Sequence, residues 1–246
     1  MVNQPSTAAR LSEQLESEQR AYQSVSRFAV LAALLGIGSS VAFLDRLLWL
    51  VPVMGALLSW VALRKIANAE GALIGRKLAL VGLALSILFG AAAPTRWIIY
   101  QRSMFHSADQ TAKKWFDALA HNEPARAHQL RLRAHRRLGD DDAESLWAFY
   151  RNDKMSRGQL RAYVALPSVR ALLELGEDAE VRYVRCNRLD VTRYNELASL
   201  TYAVTYDSSG EKRTFFVRLN FERQRLIDDG VEPWRLVEVT SGGRLF

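Results

Sequence analysis

The chain has 246 residues, of which 49% are hydrophobic and 24% charged, and this composition excludes a disordered chain and leaves room for one or two folded domains. A single cysteine excludes an intramolecular disulfide scaffold. Of the net charge of +7, residues 1–102 carry +5 (ten bases, five acids) and the remainder carries +2 (23 bases, 21 acids). Because the excess bases flank the apolar part of the chain, we do not expect nucleic acid as a partner.

Three apolar segments predict three membrane-spanning helices. They are Phe28–Leu44, Leu47–Leu63 and Leu78–Ala93. The first two have 17 residues each, and as helices they would measure about 26 Å against a hydrocarbon core of about 30 Å. A tight turn is expected at Asp45 and Arg46, since one continuous helix would place both charges at the bilayer centre. Pro94 marks the expected exit of the third span. A buried soluble hairpin and a cleaved signal peptide are the alternatives, and the lack of polar helix faces disfavours the first.

The charges of the connecting segments predict the orientation. The loop from Arg64 to Lys77 holds four bases and one acid, whereas the first turn holds one base. By the positive-inside rule, this loop and the N-terminus are cytoplasmic and the C-terminal domain is extracytoplasmic. The predicted organisation is a cytoplasmic juxtamembrane segment (1–27), a three-span module (28–102) and an extramembrane domain (103–246), in a multi-pass protein of the cytoplasmic membrane.

Small residues recur at four-residue spacing within the predicted spans and indicate the faces on which the helices pack. They are Gly36, Ser40, Gly55, Ser59, Gly82, Ser86 and Gly90. In lipid, such faces allow close approach of helix backbones. Packing within a three-helix anchor is the preferred interpretation, and homo-oligomerisation through the same faces is the alternative. The spans hold no ionisable residue well inside them, so no transport site is predicted.

The sequence around the third span resembles a bacterial membrane module. The run Ala62–Ile66, then Gly71, Gly75-Arg76 and Ala79–Gly82, is similar to the pattern of the family catalogued as domain of unknown function 4190. The resemblance covers about residues 26–95, and Lys77-Leu78 replaces the usual glycine and leucine. It implies a bacterial membrane protein and carries over no catalytic residue.

Helical periodicity dominates the first part of the C-terminal domain. Ser107 and Gln110 form a capping-box pattern that predicts the start of a helix ending near Ala120. Pro124 predicts a second helix, which Gly139 ends. Further helices are predicted over 141–152 and 165–175, the last opened by Pro167 and closed by Gly176.

Alternating apolar residues follow and predict four antiparallel strands. The strands are expected over 181–191, Leu200–Tyr206, Phe215–Glu222 and Trp234–Thr240. Asp207–Gly210 has the composition of a hairpin turn. Helices followed by a meander define an α+β fold.

Two stretches of this domain resemble the nuclear transport factor 2-like superfamily. They are the helical sequence WFDALAHNEPARAHQL and the ending Pro233-Trp234-Arg235-Leu236. The resemblance covers residues 103–241 and implies a cone in which helices pack into a curved antiparallel sheet. The superfamily includes enzymes, ligand binders and assembly modules, so the fold alone assigns no activity.

A pocket in such a cone would draw its polar groups from the strands. Asp190, Tyr183, Tyr202 and Tyr206 are the candidates for it. No catalytic residue, metal site or cofactor is predicted. His121, His128 and His135 are interpreted as surface residues, because no metal-ligand spacing accompanies them.

A run of bases lies ahead of an acidic run in the helical part. Arg131, Arg133, Arg136 and Arg137 precede Asp140, Asp141, Asp142 and Glu144. Bases at the end of one helix and acids at the start of the next favour both helix dipoles, and this is the preferred interpretation. A phosphate-binding patch is the alternative.

These features predict a non-enzymatic envelope protein that presents a cone-like α+β domain at the membrane surface for protein or ligand contacts. The expected partners are the lipid bilayer and either an envelope protein or a second copy of the chain. A membrane-tethered enzyme or small-molecule binder that uses the cone pocket is the alternative.

Overall fold

A computed structural model gives the fold and describes residues 24–68, 73–138, 143–225 and 231–242. The chain divides into two compact units, Met1–Ile99 and Tyr100–Phe246, which we call the helical unit and the α+β unit. The sequence had placed this boundary between residues 102 and 103. The predicted juxtamembrane segment lies almost entirely outside the described residues.

The helical unit contains two short strands and the apolar helices. Its elements are β1 (Ser24–Val25), α1 (Arg27–Gly38), 3-10 helices at Ser39–Phe43 and Arg46–Trp49, α2 (Leu50–Ala67), β2 (Leu73–Ile74) and the beginning of α3 (Arg76–Ala120). The strands β1 and β2 pair in parallel. Asp45 forms the predicted turn, because its carboxylate accepts a hydrogen bond from the Leu47 amide at 2.9 Å and so caps the following helix.

Small side chains fill the interior of the helical unit, and large apolar side chains cover its outside. Every buried position that the structure describes in this unit is alanine, glycine, serine or proline. By contrast, Leu34 is 61% exposed, Ile37 62% and Leu57 58%. The helices Arg46–Ala67 and Arg76–Ala120 are long and apolar enough to cross a membrane, while the apolar helix Arg27–Phe43 is shorter.

The helix α3 is continuous over 45 residues, which corrects one sequence prediction. Pro94 does not end it, and Thr95 Oγ1 donates to the Ala91 carbonyl at 2.7 Å within the same helix. The predicted helix start at Ser107 is wrong, because Ser107 lies inside α3 and its hydroxyl donates to the Met104 carbonyl at 3.0 Å. A serine inside a helix can bond a preceding carbonyl in this way, so its sequence pattern alone does not mark an N-cap.

Four short helices follow α3. They are α4 (Pro124–Gln129), α5 (Ala143–Asn152), α6 (Lys154–Val164) and α7 (Pro167–Leu175), with 3-10 turns at Ala134–Arg136 and Gly176–Asp178. The predicted opening of α7 by Pro167 and its closure by Gly176, at φ 56°, are confirmed. The helix α4 ends ten residues before Gly139, which lies outside the described residues. The helix α6 was not predicted, although Asp153 caps it by accepting hydrogen bonds from two backbone amides.

Four antiparallel strands complete the fold and confirm the predicted α+β class. They are β3 (Glu180–Val191), β4 (Asn195–Ser208), β5 (Glu211–Gln224) and β6 (Arg235–Gly242), in the order β3-β4-β5-β6. Ser209 and Gly210, with φ of 57° and 82°, form the predicted hairpin turn between β4 and β5. Irregular register in β3 and β6 adds local bends to the sheet.

Large side chains from α3 and the sheet form the core of the α+β unit. Trp115, Tyr202 and Leu219 are among its fully buried members. The ring of Phe116 lies edge-on to Tyr202 with centroids 5.1 Å apart. The second half of α3 therefore covers one face of the sheet.

Candidate functional site: a basic groove in the α+β unit

Two of the four predicted pocket residues lie side by side in the sheet. Tyr183 and Tyr202 are opposite each other in β3 and β4, with ring centroids 5.9 Å apart. The carboxylate next to them comes from α3, because the Tyr202 hydroxyl donates to Asp109 at 2.7 Å. Burial, and then the neighbouring Asp109, raise the pKa of Tyr202 above its ordinary value. Since Asp109 is 6% exposed and also pairs with Lys113 at 2.8 Å, this group forms part of the packed interior.

The other two predicted pocket residues lie at opposite ends of the sheet. Asp190 lies opposite Leu197 and pairs with Arg188 at 2.5 Å. Tyr206 is opposite Arg213, near the hairpin turn. Leu197 and Tyr206 are nine residues apart along β4, or about 30 Å at the rise of a strand. The structure therefore does not bring Asp190 and Tyr206 into one pocket.

Most of the predicted packing residues lie between helices of the helical unit. A Cβ on Gly36 would lie 2.7 Å from the Gly82 carbonyl oxygen, and one on Gly82 would lie 2.5 Å from the Ala32 carbonyl oxygen. A Cβ on Gly55 would meet the Ser86 hydroxyl at 2.4 Å, and one on Gly90 would meet Pro52 at 3.3 Å. At Gly36 and Gly82 the helix backbones thus approach too closely for a side chain, whereas Gly55 and Gly90 face neighbouring side chains.

The two remaining predicted packing serines differ in their surroundings. Ser59 is buried, and its hydroxyl donates to the Gly55 carbonyl at 2.8 Å. Ser40 is exposed and lies away from these contacts.

A groove of about 770 Å³ lies in the α+β unit beside α4, α6 and the start of β6. Its polar lining residues are Arg131, Arg133, Arg136, Arg235, His128, His135, Gln159 and Tyr163. No aspartate or glutamate lines it in the part of the chain that the structure describes. This volume is within the range of about 300–1,000 Å³ that is typical of ligand pockets.

Arg137 holds the segment after α4 against the start of β6. Its guanidinium donates to the Trp234 carbonyl at 2.6 Å and to the Leu130 and Leu132 carbonyls at 3.2 and 3.1 Å. The Leu236 amide donates to the Leu130 carbonyl at 2.9 Å. These bonds occupy Arg137 and bring the arginines that precede it next to Arg235.

The helix-dipole interpretation is wrong for the bases of this run, although Glu144 does lie in the first turn of α5. The helix α4 ends at Gln129, before the first of these arginines, and only the three-residue 3-10 turn Ala134–Arg136 follows within the run. A single 3-10 turn has too few aligned peptide dipoles to explain the cluster. Arg131, Arg133 and Arg136 instead line the groove.

The four groove arginines differ in the partners that the described residues offer them. Arg235 pairs with Glu222 at 2.7 Å. Arg131 donates to the Val237 carbonyl at 3.3 Å and lies over the Tyr163 ring, 5.4 Å from its centroid. Arg133 and Arg136 are exposed and have no carboxylate partner within the described ranges. Two guanidinium groups can therefore bind an anion without first breaking an ion pair seen here.

His128 is buried, which corrects its interpretation as a surface residue. Its Nδ1 lies 2.8 Å from the Tyr150 hydroxyl, and its ring lies 5.3 Å from that of Tyr163. Burial, and then the charge of Arg131, lower the pKa of His128 to about 4. The Tyr150 hydroxyl has one proton and lies 2.8 Å from His128 Nδ1 but 3.4 Å from the Ala125 carbonyl, so we assign its proton to the shorter contact. The neutral ring then carries its own proton on Nε2, for which the described residues provide no acceptor. A neutral donor thus joins the cationic ones.

This set of donors is suited to anions. Guanidinium groups bind phosphate and carboxylate oxygens in a bidentate manner, and an imidazole N–H adds a further hydrogen bond. Among the described residues there is no group of three or more histidine, cysteine or acidic side chains that could hold a metal ion.

Neither a family model, nor a curated protein, nor a solved structure matches the chain. The two family resemblances drawn from the residues are therefore untested.

Sequence patterns reveal only part of this groove. The arginines after α4 were recognised as a cluster, but Arg235, Gln159 and Tyr163 come from distant elements, and Gln159 and Tyr163 lie on the helix that was not predicted. Arg235 was noted only as part of the Pro-Trp-Arg-Leu ending.

Proposed function

We propose that the chain is an integral membrane protein that presents its α+β unit for binding an anionic ligand in the basic groove. The membrane assignment is supported by the packing of the helical unit, with small residues inside and leucine, isoleucine and valine outside. A soluble helical bundle buries its large apolar side chains, because their removal from water drives folding. A bundle in lipid has no such driving force and packs on small residues.

The helix Arg27–Phe43 is proposed as a third crossing beside the two longer helices. It has 17 residues, about 26 Å as α-helix, which nearly matches a hydrocarbon core of about 30 Å. It packs on α3 through Gly36 and Gly82 and exposes large apolar side chains on its other face. With three crossings, the N-terminus and the Arg64–Lys77 loop are cytoplasmic and the α+β unit is extracytoplasmic.

Cysteine labelling tests this topology. In a Cys186→Ser background, Lys212→Cys and Asn68→Cys each place one thiol at an exposed position. A membrane-impermeant thiol reagent is expected to label the first variant in intact cells or spheroplasts, and the second only after permeabilisation. Labelling of Asn68→Cys alone in intact cells would reverse the orientation, and labelling of both would contradict the membrane crossing.

The binding assignment is supported by the groove itself. Its four arginines and neutral His128 come from two separate parts of the chain, residues 128–136 and the start of β6, and its described lining contains no acid. We propose an anionic protein segment or small molecule as the ligand, within a cone-like arrangement of the nuclear transport factor 2-like kind. The tethered-enzyme alternative has less support, because Asp109 and Tyr202 are buried and bonded to each other.

Calorimetry on the full chain in detergent tests the groove with two probes, inorganic pyrophosphate and hexaglutamate. The double variant Arg133→Gln/Arg136→Gln is expected to weaken binding about tenfold or more, since a charged hydrogen bond contributes about 1.5–3 kcal/mol. The control Arg185→Gln/Arg218→Gln removes two exposed arginines from the sheet and should bind like wild type. Absence of binding by both probes, or equal loss in the control, would contradict the proposal.

A further inference from the structure

A second cavity lies in the helical unit, between the end of α2 and the beginning of α3. Its volume is about 530 Å³, and it is lined by two arginines, a tryptophan and four aliphatic residues. The arginines are Arg64 and Arg76, and the walls include Trp60, Leu63 and Leu80. Four of these five side chains are exposed: Trp60 by 55%, Leu80 by 46%, and both arginines. The cavity therefore opens on the apolar outside of the unit.

The polar end of the cavity has an uncompensated positive charge. Arg64 lies over the Trp60 ring, 5.2 Å from its centroid, and neither Arg64 nor Arg76 has a carboxylate partner within the described parts of the chain. The neighbouring Lys65 is directed elsewhere, because its ammonium lies 4.0 Å from the centroid of the Phe28 ring. Two guanidinium groups at one cavity match a phosphate group in charge and hydrogen-bond geometry.

The rest of the cavity requires an apolar ligand group. Leu63, Leu80 and Trp60 offer no hydrogen-bond partner other than the indole N–H, so a small hydrated anion would leave most of the cavity unfilled or wet. A tryptophan beside bases at the end of an apolar helix is typical of the membrane interface. The ligand must therefore be amphipathic, with an anionic head and a hydrocarbon chain.

We propose that this cavity binds one anionic phospholipid, with its phosphate between Arg64 and Arg76 and the upper part of an acyl chain along Trp60, Leu63 and Leu80. Basic pockets between membrane helices on the cytoplasmic side bind anionic head groups in this way. The proposal rests on the membrane crossing put forward above. The lipid occupies the outer surface of the helical unit and is independent of the ligand of the α+β unit.

Native mass spectrometry of the full chain, released from detergent, tests this site. The probes are phosphatidylglycerol, cardiolipin and phosphatidylcholine, each added to delipidated protein. Wild type is expected to retain an anionic lipid in preference to phosphatidylcholine. Arg64→Gln/Arg76→Gln should weaken this binding by at least about tenfold, because both guanidinium groups donate charge-assisted hydrogen bonds directly to the phosphate.

Two control variants distinguish binding in the cavity from the general attraction of anionic lipid to basic residues. Arg27→Gln/Lys77→Gln removes the same charge from exposed bases that do not line the cavity, and it should reduce binding less than threefold relative to wild type. Leu80→Trp keeps both arginines but fills the apolar wall, and it should weaken lipid binding as the arginine variant does. Inorganic phosphate at the concentration of the lipid should not displace it.

The outcomes distinguish this proposal from the membrane assignment. A chain that resists carbonate extraction from membranes but shows no preference for anionic lipid, or loses it equally in both double variants, would overturn only the lipid site. Displacement by inorganic phosphate would mean a free-anion site and would also overturn it. A chain that is soluble without detergent would overturn the membrane assignment and this proposal together.

Discussion

The two units of this chain place opposite kinds of residue in their interiors. In the helical unit, the described interior consists of alanine, glycine, serine and proline, and the large apolar side chains are outside. In the α+β unit, Trp115, Tyr163 and Phe221 are buried and the charges lie mainly on the surface. The comparison supports the proposed membrane location of the helical unit, because water expels large apolar groups and lipid does not.

The units also differ in the polar groups that they bury. Glu196 in the α+β unit is fully buried, accepts a hydrogen bond from Arg223 at 2.6 Å and another from the Tyr100 hydroxyl, and lies 3.8 Å from Arg225. The described interior of the helical unit holds no ionisable side chain. Its buried polar groups are serine hydroxyls, which can bond to the helix backbone, as Ser59 does.

Removal of the buried carboxylate should have the largest effect. Glu196→Ala leaves Arg223, itself 12% exposed, without its counter-charge, and breaking a buried pair in this way costs about 3–5 kcal/mol. The control is Glu180→Ala, which breaks an exposed pair with Arg182 and should cost less than about 1 kcal/mol. Hydrogen exchange of the β4 amides measures both. Similar protection in the two variants would mean that the buried pair is not needed for stability.

A charge on the apolar outside of the helical unit should have the next largest effect. Leu57 is exposed in the middle of α2, and Leu57→Asp should oppose insertion by about 2.5–3.5 kcal/mol. In the α+β unit, Val184 is also an exposed apolar residue, at 41%, and Val184→Asp should change stability by no more than about 1 kcal/mol. Carbonate extraction of membranes distinguishes the two variants, because only Leu57→Asp should be lost from the membrane fraction. Normal retention of Leu57→Asp would mean that the apolar outside of the helical unit does not face lipid.

Adding one methyl group at Gly82 tests the close contact between α1 and α3. Gly82→Ala places a Cβ 2.5 Å from the Ala32 carbonyl oxygen, so the helices must shift, at a cost of about 1–3 kcal/mol. Gly38→Ala is the matched control, because nothing lies within 4 Å of its Cβ and the helix gains propensity. Melting in detergent, followed by circular dichroism at helical wavelengths, should show a lower transition for Gly82→Ala only. Equal melting would mean that the small residues are incidental.

Periodicity predicted the sheet well because its alternation is local and its turn residues are distinctive. The strands, their antiparallel order and the turn at Ser209-Gly210 were all anticipated. The helix start predicted at Ser107 was wrong. Its sequence pattern is typical of a helix N-terminus, but here one continuous helix contains both Pro94 and Ser107. Whether a helix ends or continues at such residues depends on tertiary packing, which a local sequence pattern does not show.

The candidate groove was harder to predict than the fold. The sequence shows the arginines after α4 as a cluster, but whether they face a groove depends on Arg137, which bonds to Trp234 from almost a hundred residues away. The burial of His128 likewise depends on Tyr150 and Tyr163, from two other helices. Contacts between residues so far apart in the chain produce no periodic pattern, so a single sequence does not predict them.

The stability of the two units should also respond differently to pH, and this is the smallest effect that we predict. His128 is in contact with Arg131, Tyr150 and Tyr163, and its pKa of about 4 lies below the ordinary value of 6.5. Because the unfolded chain takes up this proton first, stability is complete above pH 6.5 and declines as the pH falls towards 4. Between pH 7.5 and 6 the loss should be on the order of 1 kcal/mol.

The readout is hydrogen exchange of β4, corrected for the intrinsic effect of pH on exchange. His128→Gln should flatten the decline, and His135→Gln, which removes an exposed histidine, should leave it as in wild type. Melting of the helical unit should not change over the same range, because its described interior contains nothing that titrates there. A decline that persists in His128→Gln would assign the pH dependence to another group, and the neutral donor proposed for the groove would lose its support.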